Sequence, residues 1–433
     1  MKTPLIQLRN SLGRTLLPPA LRLMRAQMRL ISDPVQLRQM AARADALGSP
    51  QADVHTQQIM AGSAPATWVD VRGARRDRVV LYLHGGAFIA ETPMFHGALL
   101  ARICREARAR GLMLSYRLAP EHLYPAALDD CMAAYRWLLE QGFDASRIVV
   151  AGDSAGGNLT LALLLRSRDE GLPLPAGAVA LSPVADLTFS GDSVHRNDGV
   201  DDMFSADLMD ALVPAYLPRR ELCTLPHVSP VFGDFAGMPP LLLIVGSTEL
   251  LLDDSVRVAQ RCPGAQLLVW HGMPHVFPGF AFLPEAHAAT QRIGRFVRDC
   301  VKGGPETQGA AREEADSEVE VRARAAPAAQ QPAPQRLGVE ALLYLALAMA
   351  SGSVSLALLT VWLGPALLLA NPVVWGATAV AAVFMLMEAG TVGWRRVRWC
   401  LGATLLLGPG CGLSVFLFLR ASRGAKLARP PAG

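Results

Sequence analysis

The chain has 433 residues, of which 51% are hydrophobic and 18% are charged. Because 41 Lys and Arg nearly balance 37 Asp and Glu, the net charge of +4 argues against a nucleic-acid partner. The seven cysteines show no CxxC spacing, which argues against a disulfide scaffold or a zinc-ribbon site. A mean hydropathy of +0.27 is high for a soluble enzyme and indicates a membrane segment.

Residues 1–66 form a predicted N-terminal segment in which arginines alternate with Leu, Met and Ile. Leu21, Met24, Met28 and Ile31 fall on one stripe of a helix. A cationic amphipathic helix can lie on lipid, or it can pack as a helical lid on the next domain. No uninterrupted apolar run follows the start, so we expect no cleaved signal peptide.

Residues 67–301 alternate short β-branched or Leu-rich runs with longer helical patterns, such as those at 126–140 and 158–168. This alternation predicts an α/β domain with a mostly parallel sheet that is covered on both faces. The predicted strands are Arg78–Leu83, Gly111–Ser115, Arg147–Ala151, Ala178–Leu181, Leu241–Val245 and Gln266–Trp270.

The chain changes character after this domain. Residues 302–336 are rich in Ala, Glu, Gln and Pro, a composition typical of a flexible linker. Residues 341–387 and 399–419 then contain no Asp, Glu, Lys, Arg or His. Since one helical span needs about 20 residues, we predict an all-α transmembrane region. It covers 337–422, with helices near 341–362, 366–387 and 399–419, and a basic tail follows at 423–433.

A G-x-S-x-G motif at 152–156 lies between a predicted strand and a helical pattern that begins near Asn158. In a strand-to-helix turn, the flanking glycines allow a sharp bend that leaves the serine hydroxyl exposed. The positive end of the following helix points at charge that develops on the substrate. Ser154 is therefore the candidate nucleophile.

A nucleophilic serine needs donors for the oxyanion. The strand at 78–83 runs into His84-Gly85-Gly86-Ala87-Phe88, where glycines leave backbone N–H groups accessible. We predict that the N–H groups of Gly85, Gly86 and Ala155 form the oxyanion hole, in which each donor contributes about 3–4 kcal/mol.

These motifs resemble those of the hormone-sensitive-lipase-like family of α/β-hydrolases, which includes many bacterial carboxylesterases. The resemblance covers about half of the chain, from Arg78 to Asp299. It implies an α/β-hydrolase fold with an N-terminal helical cap, and a serine hydrolase for esters of short to medium acyl chains without a metal or organic cofactor. The motifs are HGGAF at 84–88, YRLAPEH at 116–122, GDSAGG at 152–157, LSP at 181–183 and GMPHVF at 272–277.

The same resemblance points to the remaining catalytic residues. The family's acid lies in a G-x-x-D-x-L pattern, where this chain has Glu249. Glu249 is the predicted acid and Asp253 the alternative. The pattern G-x-P-H-x-F selects His275 as the base, with His271 as the alternative. His275 would take the proton from Ser154 while Glu249 orients the imidazole.

Four further features receive a structural interpretation. Ala87 replaces the third glycine that the family usually has, and its methyl group would narrow the alcohol side of the pocket. Asp198, Asp201 and Asp202 suggest a metal site, but the intervening glycine and the lack of further carboxylates favour a solvated loop. In the family, the segment at 116–122 is scaffold. Cys104 and Cys131 are interpreted as small buried residues.

Two classes of function follow from the sequence. One is a membrane-tethered serine carboxylesterase that contacts membrane lipid and cleaves a small-molecule or lipid ester; acyl transfer to a lipid alcohol would use the same triad. The other is a membrane protein whose hydrolase-like domain only binds a ligand. Two features predict that the catalytic domain lies on the cytoplasmic side of the membrane. Its cysteines are unpaired, and beside the predicted spans there are six positive residues on the side of the domain against four on the side of the tail.

Overall fold

The computed structural model describes residues 4–46, 48, 51 and 53–302. An eight-stranded β-sheet lies at the centre of this part of the chain. Its strands are, in chain order, β1 Val54–Ala61, β2 Ala64–Val71, β3 Arg75–Leu83, β4 Ala109–Leu114, β5 Ile148–Asp153, β6 Gly177–Leu181, β7 Leu241–Gly246 and β8 Gln266–Trp270.

The sheet is mostly parallel. Its strand order is β1-β2-β4-β3-β5-β6-β7-β8. β2 is antiparallel to both β1 and β4, and all the other neighbouring pairs are parallel. The mostly parallel sheet predicted from the sequence is therefore confirmed, and each of the six predicted strands lies in it.

The sheet begins at Val54, before the boundary predicted at residue 67. β1 is an edge strand, and its residues 55–58 are all polar and exposed. Such an edge strand needs no apolar run, so the hydrophobic pattern from which the other strands were predicted is missing there. The N-terminal helical segment is correspondingly shorter than 1–66.

Helices cover both faces of the sheet. Val79, Leu81 and Leu83 of β3 belong to one buried core, while Tyr82 points the other way and contacts His96. Full burial of a Leu or Val side chain stabilises the fold by roughly 1.5–3 kcal/mol. The helices are α1 Pro4–Arg29, α2 Pro34–Asp45, α3 Pro93–Ala107, α4 Ala126–Glu140, α5 Ala155–Asp169, α6 Asp192–Arg196, α7 Ala206–Tyr216, α8 Leu252–Arg261 and α9 Pro284–Lys302.

The segment from Pro4 to Asp45 contains two helices, α1 and α2, as the amphipathic pattern predicts. Asp33 caps α2, because its side chain accepts a hydrogen bond from the Val35 N–H (2.9 Å). Pro34 occupies the first helical position, where its missing N–H costs nothing. The compact unit that holds the sheet begins at Met24, so α1 crosses its boundary.

The linker, the transmembrane region and the basic tail predicted for 302–433 lie outside the described residues, apart from Lys302 at the end of α9. Among the helices of residues 4–302 that the structure describes, none combines the length and the hydropathy of a membrane span.

Candidate active site

Ser154 lies in a sharp turn between β5 and α5. Its φ of +53° and ψ of −117° are strained for a residue with a side chain. The chain packs so closely here that a Cβ on Gly156 would lie 1.9 Å from the carbonyl oxygen of Leu83, and one on Gly152 would lie 2.3 Å from that of Gly156. Both glycines of the motif are therefore required by close backbone approach. α5 starts at Ala155, three residues before the predicted start near Asn158.

Glu249 and His275 form a buried pair. Nδ1 of His275 is 2.8 Å from Oε2 of Glu249. The other carboxylate oxygen, Oε1, accepts hydrogen bonds from the Gly246 N–H (2.5 Å) and the Ser182 hydroxyl (2.8 Å). Both carboxylate oxygens are thus held, although the carboxyl group is removed from water.

The environment of His275 favours its charged form. Burial by itself lowers the pKa of the imidazole, but the hydrogen bond and the negative charge of Glu249 outweigh it, and the pKa of His275 is raised. The Phe204 ring meets the imidazole edge-on, with 4.9 Å between ring centroids and an interplanar angle of 80°. Since Nδ1 faces Glu249, Nε2 is the nitrogen that can exchange a proton with a nucleophile.

The order of the strands in the sheet brings Ser154 close to the pair of Glu249 and His275. Its N–H donates to the carbonyl of Leu181 (2.8 Å), and the next residue, Ser182, donates to Glu249 and accepts a hydrogen bond from the Val276 N–H (3.2 Å). The ends of β5, β6, β7 and β8 therefore gather the three predicted catalytic residues at one edge of the sheet. Within the described residues no hydrogen bond joins the Ser154 hydroxyl to His275; such bonds often tighten only when substrate binds.

The two alternative residues lie elsewhere. Asp253 accepts a hydrogen bond from the Ser193 N–H (2.7 Å) and pairs with Arg196 (3.3 Å). Of the two candidate acids, only Glu249 contacts His275 in the described part of the chain. The side chain of His271 is exposed.

The loop after β3 differs from the prediction in one donor. The Gly85 N–H donates to Oδ1 of Asp153 (3.1 Å), so this donor is already occupied, which contradicts its predicted role in the oxyanion hole. In the described structure, the N–H groups of Gly86, Ala87 and Ala155 have no acceptor. The free donors of this loop are therefore Gly86 and Ala87 instead of the predicted Gly85 and Gly86. Ala87 has a φ of +53°, in the left-handed region that favours glycine.

Sequence reasoning missed the side chains that hold this loop. Asp153 accepts hydrogen bonds from the Tyr82 hydroxyl (2.7 Å) and the Gly85 N–H, and it pairs with Nε2 of His96 (3.2 Å). Asp153 stands inside the G-x-S-x-G motif, but nothing in the local sequence links it to His96 on α3.

Asp153 and His96 each favour the charged form of the other. Burial alone raises the pKa of the Asp153 carboxyl, but the charge of His96 and its hydrogen bond outweigh this effect, and the pKa is lowered. Burial lowers the pKa of His96, but the charge of Asp153 and its hydrogen bond raise it by more. A buried ion pair thus lies directly behind the oxyanion loop.

We expect His96→Leu to destabilise the protein strongly. The substitution leaves the Asp153 carboxylate buried without its cation, which typically costs about 3–5 kcal/mol. The midpoint of urea denaturation, followed by tryptophan fluorescence, should fall clearly for this variant. His122→Leu, at an exposed histidine, is the control and should leave the midpoint almost unchanged. Equal midpoints for both variants would contradict a charged pair.

Asp201 is buried, which corrects the prediction of a solvated loop. The residue is 2% exposed, whereas the neighbouring Asp198 is exposed. Oδ1 of Asp201 accepts hydrogen bonds from the N–H groups of Met203 (2.8 Å) and Phe204 (3.0 Å). Oδ2 accepts one from the N–H of Leu250 (2.9 Å). The carboxylate therefore binds backbone on both sides.

The segment at 116–122 acts as scaffold. The Tyr116 hydroxyl donates to the carbonyl of His84 (2.7 Å), and the two rings stack with centroids 4.1 Å apart. Glu121 pairs with Arg38 of α2 (2.5 Å). These contacts hold the start of the oxyanion loop and the second helix against the domain.

The chain has relatives among known proteins. Residues 80–279 match a family model described as alpha/beta hydrolase fold. Over 268 residues the chain is 40% identical to an acetyl-hydrolase of Streptomyces hygroscopicus, with 60% of this chain and 86% of that protein covered. An esterase of Acinetobacter venetianus is 36% identical over 229 residues, with 52% and 76% covered.

The chain is also similar to esterases among the solved structures. The chain is similar to an esterase from the bacterial hormone-sensitive lipase family, with a TM-score of 0.63 and 36% sequence identity. The match covers 70% of this chain and 99% of that one.

Proposed function

We propose that this chain, which belongs to the hormone-sensitive-lipase-like family of α/β-hydrolases and is a carboxylesterase-like hydrolase, cleaves carboxylic esters through an acyl-enzyme on Ser154. The observation that carries the proposal is the hydrogen bond between His275 and the fully buried Glu249. An imidazole oriented by a buried carboxylate, at the same sheet edge as a serine in a strained turn, is the arrangement that activates a hydroxyl nucleophile.

Acylation would begin with proton transfer from the Ser154 hydroxyl to Nε2 of His275. The serine oxygen attacks the ester carbonyl, and the negative charge on the carbonyl oxygen is held by the N–H groups of Gly86, Ala87 and Ala155. The N-terminal end of α5 adds its partial positive charge at the same place. The tetrahedral intermediate collapses when His275 returns the proton to the leaving alcohol.

Deacylation repeats these steps with water as the nucleophile. His275 takes a proton from the water, the hydroxide oxygen attacks the acyl carbonyl, and the proton then returns to Ser154 as the carboxylic acid leaves. Glu249 stabilises the imidazolium in both halves of the reaction and keeps the proton-accepting nitrogen towards the serine.

Hydrolysis of p-nitrophenyl acetate, butyrate and palmitate by the full chain in mild detergent tests this function. We expect kcat/KM for the acetate and butyrate to exceed that for the palmitate, because the proposed substrates are esters with short to medium acyl chains. No hydrolysis of any of them would favour a domain that only binds its ligand. A new ester, formed when a long-chain alcohol is added, would indicate acyl transfer instead.

We also propose that three spans near 341–362, 366–387 and 399–419 tether the catalytic domain to the cytoplasmic face of a membrane, beside its lipid or small-molecule esters. The uncharged runs of the sequence support the spans. The cysteines of the described part are all unpaired, which favours a reducing compartment. Six positive residues on the domain side against four beyond the last span point the same way.

Reporter fusions test this topology. A reporter that is active only in the cytoplasm should work when it is fused to the N-terminus and should be silent after Gly433. A silent but well-expressed N-terminal fusion would overturn the orientation, while activity at both ends would overturn the odd number of spans.

A further inference from the structure

Asp201 connects three parts of the molecule through one short segment, residues 201–204. Oδ2 of its buried carboxylate binds the N–H of Leu250, the residue that follows Glu249. Oδ1 binds the N–H groups of Met203 and Phe204 and so fixes the turn of the segment. The carboxylate therefore holds the acid's own backbone and the segment that carries Phe204.

Phe204 brings this segment to the base. Its ring edge lies against the His275 imidazole, with 4.9 Å between centroids. Because Asp201 accepts a hydrogen bond from the Phe204 N–H, the position of the ring depends on the Asp201 carboxylate. Asn197, a few residues earlier, donates its side-chain amide to the carbonyl of Glu249 (2.7 Å), which adds a second link to the acid.

The end of α1 reaches the same segment from outside. Arg25 donates to the carbonyl oxygens of Asp201 (2.5 Å) and Phe204 (3.3 Å). One turn later, Arg29 pairs with Asp207 at the exposed surface (2.5 Å). Arg25 thus contacts the 201–204 segment itself, whereas the ion pair of Arg29 is made with the start of α7.

We propose that Asp201 is a positioning residue of the active site, which links the end of α1 to both the acid and the base. The proposal rests on the proposed function, because it assigns Asp201 a part in keeping Glu249 and His275 aligned. According to this proposal, the contact of Arg25 with the 201–204 segment affects the catalytic rate, although Arg25 lies outside the acid–base pair.

The pH dependence of activity can distinguish this role of Asp201 from a purely structural one. Glu249 contacts His275, and the charges of Glu249, Asp201 and Asp153 each raise the pKa of the imidazole against the effect of burial. Arg25 adds a cation at the Asp201 carbonyl. Because His275 must be neutral to act as a base, removal of the Asp201 charge lowers its pKa and extends activity to lower pH.

The test compares Asp201→Asn with Asp198→Asn in the full chain, using p-nitrophenyl butyrate. The asparagine side chain keeps the shape of Asp201 but puts an N–H₂ group where a carboxylate oxygen accepted a hydrogen bond. We expect kcat to fall by about ten- to one-hundred-fold, because a shift of catalytic groups by about 1 Å can lower the rate by about 10²-fold, with KM almost unchanged. The acid limb of the kcat/KM profile should move to lower pH. Asp198→Asn, at an exposed carboxylate, should leave both quantities unchanged.

A second pair of variants tests the link to α1. Arg25→Ala should lower kcat several-fold, whereas Arg29→Ala should retain the wild-type rate. Equal rates for these two variants would overturn the link, and this pair decides the matter even where Asp201→Asn does not fold.

The outcomes separate this proposal from the proposed function. A wild-type chain that hydrolyses no ester would overturn the function itself. If the wild-type chain is active, a wild-type kcat for Asp201→Asn would overturn only the role of Asp201. A lower kcat with an unmoved acid limb would leave Asp201 with a purely structural role and would equally overturn the proposal.

Discussion

Ser154→Ala is expected to abolish ester hydrolysis, lowering kcat for p-nitrophenyl butyrate by at least about 10³-fold and by up to about 10⁶-fold. The oxyanion donors and the binding pocket remain in this variant, but no group is left to form the acyl-enzyme. Initial rates of the full chain and of the variant measure the effect. A fluorophosphonate should add its mass to the peptide that contains Ser154 in the wild-type chain and to no peptide of the variant.

The loss can be assigned to chemistry rather than to folding. Alanine keeps the Cβ of serine, so the strain of a positive φ at residue 154 is the same in both proteins. Ser146→Ala, at an exposed serine, is the matched control and should retain wild-type activity. Hydrolysis by Ser154→Ala at the control rate would contradict the covalent mechanism.

The parts of the site that depend on local sequence could be predicted from it. The turn around Ser154 needs glycines within two residues on either side, because β3, β5 and α5 approach one another there, and the motif itself shows this requirement. Glu249 lies three residues after the end of β7, so its place at the sheet edge also follows from a local pattern.

The parts that depend on distant contacts could not be predicted. Which N–H groups of the oxyanion loop stay free is decided by the Asp153 carboxylate, which binds Gly85 across 68 residues of chain. The buried Asp201 carboxylate binds the Leu250 N–H, and its backbone carbonyl binds Arg25, and both partners are likewise far away in sequence. A run of acidic residues beside a glycine carries no sign of such partners, so it resembled a solvated loop.

The alanine at position 87 carries more information about the backbone than about the pocket. The replacement of the third glycine suggested a narrower pocket, but the residue also adopts a φ of +53°, which costs an alanine roughly 1 kcal/mol or more. A glycine at this place in related chains therefore marks a backbone position that presents an N–H group. That reasoning would have moved the predicted donors from Gly85 and Gly86 to Gly86 and Ala87.

The identity of the triad acid is tested by a pair of isosteric substitutions. Glu249→Gln should lower kcat by about 10³- to 10⁴-fold, as expected when the base is held in the wrong tautomer. The glutamine amide can donate a hydrogen bond to Nδ1 of His275, which leaves the imidazole proton on Nε2. Nε2 then cannot accept a proton from Ser154. Asp253→Asn should change kcat only a few-fold, because Asp253 contacts Ser193 and Arg196 instead of the base.

The pH profile of activity distinguishes the carboxylate that orients His275 from a carboxylate that has no contact with it. Among the groups that raise the pKa of His275 against the effect of burial, Glu249 acts through both a hydrogen bond and its charge, so in Glu249→Gln this pKa must fall. Since the base acts when it is neutral, the acid limb of the residual activity should move to lower pH, whereas the limb of Asp253→Asn should stay in place. If Asp253→Asn shows the larger loss and the shifted limb, the role of the acid belongs to Asp253, and the hydrogen bond between Glu249 and His275 would have to open during catalysis.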